Sequence, residues 1–422
     1  MTIKRKRAAA LVGAVIAGAS MLALTGCGPA GNGDAGKTPD KDEAAGSVTL
    51  WVDTQRAPAL KDLAAEFKKD TGVEIKLVLK DFATADQDFI SQVPTGKGPD
   101  IIVSPHNVLG AYVKNGVVAP LELGDKAKDY ADTAIQAVTY EGNVYGVPYS
   151  IENIALLRNT TLVPDASTTF DEVIAKGKAA VAAGTAKYPF LVGLDPKQGD
   201  PYHLYPLQTS FGSTVFAQNP DGTFDATKLT LGDPAGVEFA TALKKWGAEG
   251  ILNANITGDI ALDAFNKGES PYYLTGPWNV PAIKDAGIAY AIDPLPSAGG
   301  QPARPFLGVN AFFISSKSQN KVAATKFLVD YIGSDAGQTA LYEAGGRPPA
   351  LTSVYDTIAA QDPDIKAFGD IGRDATPMPA IPQMASVWAD WGTAELNLIK
   401  GEGDPATVWN TAVSNIEAKL KQ

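Results

Sequence analysis

A strand–helix–strand rhythm at the start of the folded part does most to limit the architecture. Ser47 to Val52 is a short run rich in β-formers, and Ala57 to Asp70 then places Leu60, Leu63, Ala64 and Phe67 at helical spacing, with Gly72 as the stop. Val73 to Leu79 reads as the next strand and Asp100 to Val103 as a third. Strands that run the same way need a crossover, and a helix packed on the sheet supplies it with a fixed hand. The pattern therefore predicts an α/β layer with parallel pairing. Later segments keep the rhythm: Phe170 to Ala183 reads as helix, Ser270 to Leu274 and Phe306 to Ser315 as strands, and Lys321 to Ile332 as a helix with Phe327, Leu328, Tyr331 and Ile332 on one side. No internal repeat interrupts this alternation.

A chain of 422 residues is too long for one core, since single cores stop growing at roughly 250–300 residues. Two domains are expected. The first residues are set aside as a processing signal. Lys4 to Arg7 are all basic, Ala8 to Leu24 carry no charge, and the run closes on Leu24-Thr-Gly-Cys27, with the only cysteine of the chain. That ending resembles a bacterial lipoprotein signal, which implies cleavage after residue 26 and a lipid, palmitate among its acyl chains, on Cys27. Residues 27–46 are rich in Gly, Ala, Pro and charge and read as a flexible tether. They include a formal phosphate-loop match, Gly31 to Thr38, but no strand precedes it and Pro39-Asp40 follow, so the loop lacks the helix N-terminus that would bind phosphate. After the apolar run no second span of about 20 apolar residues occurs.

Composition excludes several classes. The formal charge is −11, and it becomes more negative once the basic leader is gone, so no basic surplus exists to neutralise nucleic-acid phosphates. With one cysteine, neither a disulfide nor a thiolate metal site can form within the chain. The two histidines, His106 and His203, sit in no nucleophile-elbow or His-Glu-x-x-His pattern, and both read as hydrogen-bonded structural residues. No metal or cofactor is called for. What does stand out is aromatic residues beside polar turns. Trp278 follows Gly276-Pro277, Tyr202 and Tyr205 follow the polar run Asp195 to Gly199, and Trp388 follows the Pro-rich stretch Pro377 to Gln383. Sugars show polar rims and apolar C–H faces, so a sugar site needs flat platforms ringed by polar groups, as ligand clefts do in general.

Four motifs carry a family resemblance over nearly all of 47–422. They are Glu66-Phe-x-x-Asp-Thr-Gly72, Gly98-Pro-Asp-Ile-Ile102, Ala264-Phe-Asn-Lys-Gly-Glu269 with Gly276-Pro-Trp278, and Pro379-x-Ile-Pro-Gln-Met384 ahead of Trp388. The chain resembles the extracellular solute-binding proteins of carbohydrate ABC importers, most closely the maltose/maltodextrin-binding proteins. The resemblance implies an α/β, two-lobe periplasmic-binding-protein fold with a hinge and an interlobe ligand cleft. One lobe would comprise 47–150 plus 309–360, the other 153–306 plus 362–422. It further implies a monomer without enzymatic activity that delivers its sugar to membrane permease subunits.

Carried over residue by residue, the resemblance implies that Trp278 and Trp388 stack on sugar rings, with Tyr202, Asp200 and Glu152 as further contacts. Gln55 and Arg56 stand where the maltose binders have Asp and Lys. Ser104, Asn107 and Val108 replace Trp, Asp and Arg, which implies one platform fewer and a more open wall at Ser104. The expected ligand is maltose, maltodextrin or a related oligosaccharide. Binding of a different oligosaccharide, a glycoside hydrolase using an unmarked carboxylate pair, and a glycan adhesin that does not close remain the alternatives.

Overall fold

The structure is a computed structural model that describes residues 46–219, 223–373 and 375–421. The leader, Cys27 and the phosphate-loop match lie outside the described residues. The rest is built on a seven-stranded and a four-stranded sheet, with two two-stranded hairpins and helices packed around them.

The larger sheet has the strand order Thr376–Pro377, Phe306–Ser315, Ile101–Pro105, Ser47–Val52, Glu74–Leu79, and Val118–Ala119 and Gly146–Glu152 also pair with Phe306–Ser315. Ser47–Val52 is parallel to both of its neighbours, with Ser47 opposite Glu74 and Leu50 opposite Ile101. The parallel expectation fails at Phe306–Ser315, which runs antiparallel to Ile101–Pro105 and to Gly146–Glu152. The reversal follows from the chain path. Gly146–Glu152 leads out of this sheet and Phe306–Ser315 leads back in, so the two segments must oppose each other.

Period-2 alternation sorts the strand side chains into two cores. Val48, Leu50 and Val52 pack with Leu60, Leu63 and Phe67 of the helix Ala57–Thr71. Trp51, between them, packs on the other side with Phe89, Tyr112 and Phe313. The helix stops at Gly72, whose φ of 76° lets its N–H reach the Lys68 carbonyl at 2.9 Å. The expected helix at Lys321 to Ile332 is α-helical only to Lys326, and Phe327–Ile332 is a π-turn. That widened turn packs Phe327 edge-on to Phe67 at 5.3 Å, and Tyr331 sits 5.0 Å from the same ring.

The smaller sheet orders Tyr290–Asp293, Ala155–Asn159, Tyr272–Thr275 and Leu191–Val192. Leu156, Tyr272 and Leu274 face a core containing Phe170, Phe239, Trp246, Trp391 and Trp409, while Leu157, Tyr273 and Leu191 face Phe265 and Ile283. Phe306–Ser315 joins the two halves. Phe306 belongs to the core beside the smaller sheet, whereas Val309, Phe312 and Ile314 belong to a core of the larger one.

Phe67 is fully buried at the meeting of three elements. Phe67→Ala is expected to cost about 3–5 kcal/mol, read as a lowered midpoint in urea denaturation with an unchanged slope.

Candidate functional site

The smaller-sheet half contributes most of the aromatic surface. Strand Tyr272–Thr275 ends in Gly276, and Pro277–Asn279 forms one 3-10 turn that carries Trp278. Asn279 pins that turn by donating from Nδ2 to the hydroxyls of Tyr273 and Thr275, each at 2.9 Å. A Cβ on Gly276 would lie 2.1 Å from the Trp278 ring. Glycine is therefore what lets the indole fold back beside the strand end.

Asp200 caps the helix Pro201–Thr209, accepting from the His203 N–H at 3.2 Å, and its other oxygen lies 2.7 Å from His203 Nδ1. The cap orients Tyr202, whose ring lies 6.4 Å from Trp278 and 6.2 Å from Phe306. Trp388 opens the helix Trp388–Ile399 and stacks on buried Trp391 at 5.5 Å. Trp391 is itself locked by an indole N–H bond to Gln208 at 2.9 Å.

These side chains line a cleft of about 370 Å³ together with Asn107, Glu152, His203, Asn310 and Arg347. Arg347 is 8% exposed and ties the cleft together. Its Nε donates to Glu152 at 2.8 Å, its Nη1 donates to Gln55 Oε1 at 2.8 Å, and its guanidinium stands 5.6 Å from the Trp278 ring centre. Gln55 in turn donates from Nε2 to the Trp278 carbonyl at 3.1 Å. The Tyr202 hydroxyl is buried without a hydrogen-bond partner. Burial and the carboxylates of Glu152 and Asp200 push its pKa well up, so it remains a protonated donor. Gly308 makes room for it, since a Cβ there would come within 3.0 Å of that hydroxyl. The cleft thus offers flat apolar faces interleaved with carboxylate, amide, guanidinium and phenol groups.

Of the residues singled out in the sequence, Asn107, Glu152, Asp200, Tyr202, Trp278 and Trp388 converge on the cleft, and Gln55 joins through Arg347 and Trp278. Two do not. Ser104 is fully buried and bonded to Asp86 at 2.6 Å and to Tyr112 at 2.9 Å, so the open wall expected there is a sealed polar triad. Strand alternation is the reason: in Ile101–Pro105 it is Pro105 that reaches the cleft. Arg56 is 4% exposed and lies behind the lining, bonded to Asp53 and Tyr149. Burial disfavours its charge, but the Tyr149 hydroxyl, Asp53 and Glu152 more than compensate and hold its pKa above the ordinary value. The sequence reading missed Arg347 and Phe82. Arg347 sits between Gly345-Gly346 and Pro348-Pro349, a turn signal that could have flagged it.

His106 anchors the Asn107 side of the cleft. Its Nδ1 accepts from the Val309 N–H at 3.1 Å, so Nε2 carries the proton and donates to the Met378 carbonyl at 3.0 Å. Burial lowers its pKa to about 4. Near the cleft, Glu395 is fully buried, and burial, reinforced by Asp200, pushes its pKa well up against the opposing Trp391 contact.

A family model for bacterial extracellular solute-binding proteins matches residues 62–367, and the chain belongs to that family. Over 96% of both chains it is 26% identical to a galactooligosaccharide-binding protein of Bacillus subtilis. It is 28% identical, over 100% of this chain and 99% of the other, to a maltooligosaccharide ABC transporter solute-binding lipoprotein of Streptococcus pneumoniae. A maltodextrin-binding protein of Bacillus subtilis is 26% identical over 92% of this chain and 93% of its own. The α/β two-lobe fold is that of the family. Among the described residues no helix is long and apolar enough to cross a membrane.

The buried imidazole has a pH signature. Unfolded chains protonate His106 near 6.5, whereas the native ring resists to about 4. Its contribution is complete above pH 6.5 and falls as pH drops through that window, by roughly 3 kcal/mol at the lower end. Urea midpoints at pH 7 and pH 4.5 should diverge less in His106→Gln than in the unmodified protein.

Proposed function

We propose that the protein captures an oligosaccharide in this cleft and delivers it to the membrane permease of an ABC importer. The reading rests on one observation: Trp278, Trp388 and Tyr202 present aromatic surface in a cleft that also carries the hydrogen-bonding side chains of Asn107, Glu152, Asp200, His203, Asn310 and Arg347. Aromatic faces suit the C–H faces of pyranose rings, and the polar groups suit their hydroxyls. An α-glucan of the maltose or maltodextrin type is the favoured ligand, in keeping with what the Streptococcus pneumoniae protein and the second Bacillus subtilis protein are named for binding. The galactooligosaccharide relative keeps β-galactosides in the trial panel. The protein acts as a monomer and performs no chemistry. Its lobes, 47–150 plus 309–360 and 153–306 plus 362–422, close over the sugar as a ligand-driven population shift. Residues 1–26 are a removed signal, and Cys27 carries the lipid that holds the protein through the 27–46 tether on the outer face of the cell membrane.

Intrinsic tryptophan fluorescence titrated with a panel of mono- and oligosaccharides tests the reading. α-Glucosides should shift or quench emission, and a flat response to every sugar rejects the proposal. Small-angle scattering at saturating sugar should show compaction; binding without it favours an adhesin, and release of glucose or maltose from maltotriose favours a hydrolase. Trp278→Ala should weaken binding at least tenfold, about 1.4 kcal/mol. Arg347→Met removes the charge that Glu152 and Gln55 engage. It should also weaken binding at least tenfold, because charge-assisted hydrogen bonds are roughly twice as strong as neutral ones. Undiminished affinity in Arg347→Met would show that the arginine serves only the fold.

A further inference from the structure

Phe82 is the one aromatic side chain that the larger-sheet half places in the cleft lining, among residues otherwise polar or aliphatic on that side. It follows the edge strand Glu74–Leu79 and is 36% exposed, one of six large apolar side chains among the described residues exposed at least to that degree. A single exposed phenylalanine is ordinary by itself. Here three further observations accompany it.

First, its turn is rigid. The Lys80 N–H donates to the Val52 carbonyl at 2.8 Å, Asp81 Oδ1 accepts from the Ala83 N–H at 2.8 Å, and the Asp81 carbonyl accepts from the N–H groups of Thr84 and Ala85 at 3.2 and 3.0 Å. The Lys80 ammonium is held 2.9 Å from Asp88 and 4.0 Å from the Trp51 ring centre. Second, the ring has a fixed backing. The Arg56 guanidinium lies 4.6 Å from the Phe82 ring centre, and that guanidinium is clamped by Asp53 and Tyr149. A cation–π contact with a buried arginine occupies one side of a ring and costs the other side nothing. Third, the ring shares its cleft with Trp278 and Trp388, which belong to the other half of the molecule.

We infer that Phe82 is the sugar-stacking platform of the larger-sheet lobe, and that Arg56 acts through it as a positioning residue rather than as a direct ligand contact. The inference rests on the oligosaccharide reading and gives it a second wall. An apolar pyranose face held against Trp278 or Trp388 has a further aromatic surface across the cleft, so the bound sugar touches aromatic groups of both lobes. Longer saccharides, which span the cleft, depend on Phe82 more than a single sugar ring does. The platform that Ser104 does not provide is thus supplied from a neighbouring loop.

Calorimetric titration of the full-length chain with maltotriose and with β-1,4-galactobiose tests this on Phe82→Ala, Phe82→Leu, Phe82→Trp and Arg56→Gln. Phe82→Ala should bind the preferred saccharide at least fivefold more weakly, Phe82→Leu should recover less than half of that loss, and Phe82→Trp should bind as well as the unmodified protein while adding a sugar-dependent emission change. Arg56→Gln should lose affinity in the unmodified background and nothing further when combined with Phe82→Ala. Affinity within twofold in Phe82→Ala, with the unmodified protein binding normally, overturns the platform and leaves the sugar reading intact. An Arg56→Gln loss that persists in the Phe82→Ala background overturns the positioning role. If the unmodified protein binds neither these nor any panel sugar, both readings fall together. Phe82 is solvent-exposed, so its variants are expected to fold whether or not Arg56→Gln does.

Discussion

Strand Phe306–Ser315 is the constraint on which the rest of the molecule depends. All ten of its residues are buried, and its two ends serve different cores. At one end Phe306 stacks on Tyr205 at 3.5 Å and lies 6.2 Å from Trp388, so the aromatic wall rests on this strand. In the middle, Gly308 admits the Tyr202 hydroxyl, the Val309 N–H fixes the His106 tautomer, and Asn310 reaches both the cleft and Ser150 at 3.2 Å. At the other end Phe312 and Ile314 fill the core of the larger sheet. A strand buried on both sides must be almost wholly apolar, and two of its three exceptions, Gly308 and Asn310, fall where the cleft crosses it, the third being Ser315 at its end. The irregularity between Asn310 and Ala311 in its pairing with Gly146–Glu152 lies at the same place.

The electrostatics of the cleft follow from that scaffold. The chain is acidic overall, yet the cleft concentrates its polarity around one guanidinium. Arg347 neutralises Glu152, faces Trp278 and fixes Gln55. Asp200 is engaged by its own helix and by His203. These groups are oriented before any ligand arrives, and preorganisation of this kind lowers the ordering cost of binding. The Tyr202 hydroxyl is the exception, a donor held in the wall with its hydrogen-bonding capacity unspent.

How far the sequence could be read depended on which physical rule governed each residue. Ser47–Val52 and Phe306–Ser315 have the bounds that β-propensity and alternation assigned, and the helix from Ala57 ends beside the expected Gly72. Strand direction was not legible, because it depends on how the chain travels between the two halves and no local pattern encodes that. The misplacement of Ser104 has a similar origin. Neighbours on a strand point to opposite faces, so one residue separates a cleft position from a core one, and Pro105 lines the cleft while Ser104 is sealed. Gln55 and Arg56 differ in the same way at the start of a helix. Phe82 and Arg347 were overlooked because each sits in a short turn, where an isolated side chain carries no periodic signal.

Placing aromatic groups on both sides of the cleft bears on how a binding protein couples ligand capture to shape. Moving an open–closed equilibrium from 1:99 to 99:1 needs about 5.5 kcal/mol of preference for the closed form. Contacts confined to one lobe contribute nothing to that preference, because they are made equally in both states. On the proposed function, Trp278, Trp388 and Tyr202 set how well the sugar adheres to the smaller-sheet lobe. The groups across the cleft, Asn107 and Phe82, set how strongly adherence drives closure. Among the bonds that already span the halves are those of Gln55 to the Trp278 carbonyl and of His106 to the Met378 carbonyl, each about 1 kcal/mol for a neutral hydrogen bond, so ligand contacts from both sides add to a closing preference that the protein itself already carries.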